Sequence, residues 1–210
     1  MEKLKASPPS LFVVDEAHCI SECTGRLGMR HAQVVVWGFD RPNIWLGVEA
    51  CPDEATKHRV LLQRVKDEAK PGIVYVATQA HLEELAADLI EEGVTAAFYH
   101  GGMNKADRDR EQDAFMADQV DVVVATNAFG MGVDKPNVRT VIHYEVSESV
   151  DAYYQGVGRA GRDGQPARAI LLYRPEDLGM RRAMAAGGKL TEQQVKEVAE
   201  QWWAGVTRCR

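Results

Sequence analysis

Two stretches of this chain carry side chains whose types and spacing suit phosphate chemistry. VVDEAHCIS, residues 13–21, sets two carboxylates, Asp15 and Glu16, and an imidazole, His18, just after the apolar run Leu11, Phe12, Val13, Val14. Carboxylates at the carboxyl end of a buried strand hold a divalent metal or activate a water. QGVGRAGRDG, residues 155–164, sets Arg159 and Arg162 three positions apart among glycines 156, 158, 161 and 164. Glycines let backbone approach a ligand closely. Paired guanidiniums clamp a polyphosphate, and one supplied from a facing lobe neutralises charge developing on a transferring phosphoryl group. Read from the residues alone, a glycine-rich surface loop with incidental arginines remains an open alternative.

The elements that must position these groups are legible from residue 72 onward. GIVYVAT (72–78), VTAAFYH (94–100), VDVVVAT (120–126), RTVIHYE (139–145) and ARAILLY (167–173) are short β-rich runs. Between the first two, Leu82, Leu85, Ala86, Leu89 and Ile90 recur at helical spacing, and Gly93 stands where a C-terminal cap belongs. NKADRDREQDAFMADQ predicts a charged surface helix, and a further helix runs from about Val150 through Tyr154. Strand, helix, strand in alternation predicts an α/β fold, a parallel sheet with helices on both faces. Ligands of such sheets bind beyond the carboxyl ends of the strands. The loops at His100-Gly101-Gly102, Thr126 to Gly132 and Glu145-Val146-Ser147 are therefore the candidate sites. Past Pro175 the chain turns helical again, and Thr191 opens a last helix carrying Val195, Val198 and Trp202.

Composition limits the partners. At 210 residues, 45% apolar and 27% charged, the chain has the make-up of an ordinary globular protein. It contains no apolar run long enough to span a membrane, and MEKLKASPPS lacks the apolar centre of a signal peptide, so a cytoplasmic protein is expected. Cys19, Cys23, Cys51 and Cys209 lack paired CxxC spacing and are expected as free thiols. A net charge of -6 excludes a uniformly basic surface but leaves room for a local groove, since residues 151–182 carry six arginines against four acids.

DEAHCIS, FDRPNI (39–44), YHGGM (99–103), ATNAFGMGVDKPNV (125–138) and GRAGRDG, in that order, resemble the motifs of superfamily 2 helicases, and specifically of the RecQ family of ATP-dependent 3'-to-5' DNA helicases. The resemblance implies a RecA-like second helicase lobe over residues 34–183, a remnant of the first lobe over 1–33, and the start of a C-terminal helical and zinc-binding region over 184–210. It implies that Asp15 holds magnesium with ATP, that Glu16 polarises the attacking water, and that His18 couples nucleotide to DNA. It makes Arg162 the arginine finger and Arg159 its partner, with Gln155, Asp134 and Gly132 beside the nucleotide. His100, Gly101, Thr126, Lys135 and Asn137 would track the phosphates of single-stranded DNA. From the residues alone, a turn cap at Asp134 and a satisfied strand-end histidine at His100 remain open alternatives.

The departures matter too. No GxxxxGK[ST] occurs in these 210 residues, Gly156 stands where the family has glutamate, and Cys209 alone cannot complete a zinc site. The resemblance thus implies a partial helicase whose first lobe, with its phosphate cradle, lies elsewhere, and which is inactive alone. The rival reading is a non-catalytic module that binds single-stranded nucleic acid or a protein.

Overall fold

The structure is a computed structural model, and it describes residues 41–129 and 133–179. Its strands are β1 (Ile44–Ala50), β2 (Gly72–Tyr75), β3 (Ala96–Tyr99), β4 (Val122–Ala125), β5 (Thr140–His143) and β6 (Ala167–Tyr173). Its helices are α1 (Glu54–Asp67), α2 (Gln79–Glu91), α3 (Lys105–Met116) and α4 (Val150–Val157), and residues 175–179 are also helical.

All strand pairs are parallel, in the order β1-β6-β5-β2-β4-β3. Parallel neighbours require a crossover, and crossovers are right-handed, so the direction of travel along the sheet dictates the face that each one covers. Leu61 and Val65 of α1 and Leu82, Leu85 and Leu89 of α2 pack with Val74, Val124 and Ile142 on one face. Phe115 of α3 and Tyr153 and Val157 of α4 pack with Ile73, Val123 and Val141 on the other. The central strands β2, β4 and β5 are buried throughout, as their unbroken apolar runs require. This is the α/β architecture that the sequence predicts.

The passage from β4 to β5 differs from the other crossovers. Its described residues, 126–129 and 133–139, contain no helix. An extended loop crosses the sheet instead, fixed to the face of α3 and α4 by Phe129, Val133 and Val138, which join that core. The other crossovers begin with helices capped where the strands end: Asp53, Thr78, Asn104 and Ser149 accept the Thr56, His81, Asp107 and Ala152 amides.

Three features depart from the sequence pattern. Ile90 is 56% exposed, because eight residues beyond Leu82 it lies about 80° around the helix from it, on the shoulder of the stripe. β1 and α1 had no signal in the pattern. The buried face of α1 begins with a charged residue, Lys57, which pairs with Asp177 instead of extending the apolar stripe of Leu61 and Val65. β1 is an edge strand that leaves Trp45, Leu46 and Val48 exposed. Gly93 does carry the left-handed backbone of a C-terminal cap, at φ 82. The segments 1–33 and 184–210, with the helix expected after Thr191, lie outside the described residues.

Candidate functional site

At the carboxyl ends of β3 and β4 the structure brings His100, Gly101 and Thr126 together. The Thr126 amide donates to the Tyr99 carbonyl at 3.3 Å, and a Cβ on Gly101 would lie 3.7 Å from that of Ala128, so the two loops touch. The Gly102 amide donates to His100 Nδ1 at 3.1 Å, which leaves the proton of a neutral ring on Nε2. Glu83 Oε1 stands 4.0 Å from that nitrogen. Beyond β5, Glu145 is buried, accepts the Ala77 amide and lies 2.9 Å from His81 Nδ1. It therefore seats the carboxyl end of β5 against the start of α2.

Lys135 and Asn137 are not part of this group. The residues that follow them lie at the amino ends of the strands: the Arg139 amide donates to the carbonyl of Pro71, immediately before β2. The Lys135 side chain is 3% exposed, and its Nζ donates to Asp118 Oδ1 at 2.8 Å and to the Met116 carbonyl at 3.2 Å and lies 5.3 Å from the Phe115 ring centre. Asn137 Nδ2 reaches the same Asp118 oxygen at 3.5 Å. The Lys135 charge faces protein, so in this structure it does not belong to the strand-end group with which the sequence reading placed it.

The arginine pair follows α4. Gly161, at φ 53, turns the chain there, and its carbonyl accepts from Arg41 and Asn43, both at 2.8 Å. Arg162 Nη1 donates to Asp134 Oδ1 at 2.6 Å, and the Asp134 side chain is 82% exposed. Arg159 is half-buried, and its Nε is enclosed without a hydrogen-bond partner among the described residues. Its guanidinium lies beside the buried Tyr75 hydroxyl, whose pKa burial pushes up to about 12 against the opposing pull of that charge. Gln155 is exposed on α4. Asp134, Gln155, Arg159 and Arg162 thus share the face of the sheet that α4 and the long loop cover.

Beneath them, His143 lies between Tyr75 and Tyr153, with ring centres 5.2 and 4.7 Å away. A Cβ on Gly156 would lie 2.6 Å from His143 Nε2, which accounts for glycine there: the imidazole fills the space that any side chain would take. Burial pulls the His143 pKa down to about 3. The sequence reading missed Tyr75, Asp118 and His143 as supports. The first and last sit within apolar runs, and Asp118 had no signal beyond the turn after α3.

Asp15, Glu16, His18 and Gly132 lie outside the described residues. Of the residues that the resemblance gives to a nucleotide, the described ones are Asp134, Gln155, Arg159 and Arg162. The guanidinium of Arg162, about one third exposed, and the partly buried Arg159 three residues before it could together meet a polyphosphate there.

Residues 56–164 match the model of the helicase conserved C-terminal domain family. Among curated proteins, the probable ATP-dependent DNA helicase RecS of Bacillus subtilis is 36% identical over 94% of this chain and 48% of its own length. The ATP-dependent DNA helicase RecQ of Haemophilus influenzae is 44% identical over 72% of this chain and 24% of its own. The chain therefore spans about half or less of these relatives. Among solved structures, Saccharomyces cerevisiae Dbp5 bound to RNA and ADP BeF3 superposes with a TM-score of 0.65 at 22% identity, over 93% of this chain and 57% of that one, a likeness of fold. The chain belongs to the helicase conserved C-terminal domain family, with the RecQ-type DNA helicases as its kin.

Proposed function

We propose that these residues form the second, RecA-like lobe of a RecQ-type ATP-dependent 3'-to-5' DNA helicase, acting in the cytoplasm on DNA. The observation that carries this reading is the placing of Arg159 and Arg162 on one turn, both at least partly exposed, on the face that also holds Asp134 and Gln155. Bound magnesium-ATP supplies the phosphoryl group and the charge that must be neutralised. Arg162 is then the finger and Arg159 its partner, while Asp134 and Gln155 flank the nucleotide. Asp15 and Glu16 would hold the magnesium and orient water. Arginine fingers contribute roughly a thousand- to a hundred-thousand-fold in rate, but only against a nucleotide gripped from the opposite side. His100, Gly101 and Thr126 receive the phosphates of single-stranded DNA at the strand ends, where α/β sheets bind ligands.

Fluorescence anisotropy of a labelled oligothymidylate with this chain tests the DNA half. Binding that weakens linearly in log salt and is reduced by His100→Ala and Thr126→Ala is the expected result. Binding indifferent to both substitutions would count against the strand-end site. The chain alone is expected to unwind no duplex and turn over no ATP. DNA-stimulated hydrolysis that disappears in Arg162→Ala would show instead that no facing lobe is needed.

A further inference from the structure

We propose that Lys135 is a positioning residue: anchored on Asp118 at the end of α3, it fixes the loop so that Asp134, its neighbour, holds Arg162 in place. This rests on the reading of Arg162 as phosphate-facing.

The chain alternates sides here. Asp134 points outward with 82% of its side chain exposed, and Lys135 points inward with 3% exposed. Their partners lie on opposite sides of the same loop: Arg162 takes Asp134 at 2.6 Å, and Asp118 takes Lys135 at 2.8 Å. The outer pair is too exposed to fix its own geometry, because solvent-exposed ion pairs hold long side chains weakly. The inner pair differs in its cation: the Asp118 carboxylate is 59% exposed, but the Lys135 side chain that it holds is enclosed. Lys135 Nζ has a carboxylate, a carbonyl and an aromatic face around it, so its donors are satisfied only with the loop in this position. Asp118 is held for the task as well. Its backbone adopts φ 56, and its side chain also accepts from Asn137, two residues beyond Lys135. Two ties from one carboxylate thus bracket the loop directly after Asp134.

Nitrogen-15 arginine spectra of this chain test the claim by following the Arg162 Nε–Hε resonance, assigned by its loss in Arg162→Lys. Lys135→Met and Asp118→Gly are expected to move it to the position it takes in Asp134→Ala. Glycine keeps the left-handed backbone and removes only the carboxylate. Asp118→Asn, which keeps an oxygen for Lys135, is expected to leave the resonance at its wild-type position. An unmoved resonance in Asp118→Gly, in a chain whose circular dichroism and unfolding midpoint are retained, overturns the proposal. That variant decides alone if Lys135→Met does not fold. Tripolyphosphate titration of the wild-type chain reports separately on the phosphate reading: an Arg162 signal that ignores it counts against that reading and leaves the positioning result standing.

Discussion

Lys57 of α1 and Asp177, beyond β6, meet at 2.8 Å with their side chains only 1% and 3% exposed. Lys57 also lies 4.2 Å from the Tyr144 ring centre, and Arg174 Nε stands 3.4 Å from the second Asp177 oxygen. The pair thereby joins the first turns of α1 to the carboxyl ends of β5 and β6, and it sets how the chain leaves the sheet. Removing one partner leaves the other charge buried, whereas removing both removes the desolvation cost with them. Lys57→Met is expected to lower stability by about 3–5 kcal/mol, and Lys57→Met with Asp177→Leu by clearly less. Urea unfolding of the wild type and the two variants measures both, and a double variant as unstable as the single would refute the account.

Gly156 and His143 share one space. A methyl group 2.6 Å from the imidazole Nε2 must displace it, so Gly156→Ala is expected to cost about 1–3 kcal/mol. In a His143→Ala background the same change should cost much less, because the ring it meets is gone. The coupling energy of this double-mutant cycle is the measurement, and strict additivity would show that the contact is not what excludes a side chain.

His143 also predicts a pH dependence. Its pKa falls from 6.5 to about 3 on burial, so between those values the unfolded chain takes up a proton that the folded chain does not. The stability it contributes is therefore full above pH 6.5 and is lost as pH falls, by up to about 1.4 kcal/mol per unit. Unfolding titrations between pH 5 and 7, where most carboxylates stay ionised, should show this slope. His143→Leu should flatten it.

The arginine loop holds two left-handed glycines with different prospects. At Gly161, φ 53, a Cβ would lie 2.6 Å from Asn43 Nδ2 and 2.8 Å from the Gln165 carbonyl, whereas at Gly164, φ 79, it would meet nothing within 4 Å. Gly164→Ala should cost about 1–2 kcal/mol from backbone conformation alone. Gly161→Ala should cost more and move the Arg162 Nε–Hε resonance as well. Thermal melts and the arginine spectrum distinguish the two, and equal melting points would contradict the steric reading.

Much of this was visible in the sequence where one physical rule dominates. Unbroken Val and Ile runs can only be strands buried on both faces, and β2, β4 and β5 are such strands. The arginines stood out by type and spacing, whereas Asp134 was named by the resemblance alone. What remained hidden depends on contacts distant in sequence. Lys57 reads as a surface lysine until Asp177, 120 positions later, is beside it. The resemblance makes Lys135 a phosphate contact, and nothing local says which way its side chain turns; only the end of α3 decides that. The edge strand β1 was missed because its exposed apolar residues give no alternation.

The stretch from Thr126 to Arg139 crosses the sheet without a helix of its own among its described residues. A helix answers a push at one end as a rigid strut, through its internal hydrogen bonds. A ribbon stapled by Phe129, Val133 and Val138 takes its shape from what it rests on. Its upper end lies beside His100 and Gly101, and its lower end holds Asp134 against Arg162. Near Asp134 its course is therefore set by the tie of Lys135 to Asp118 and by the Arg162 contact, not by a ladder of its own.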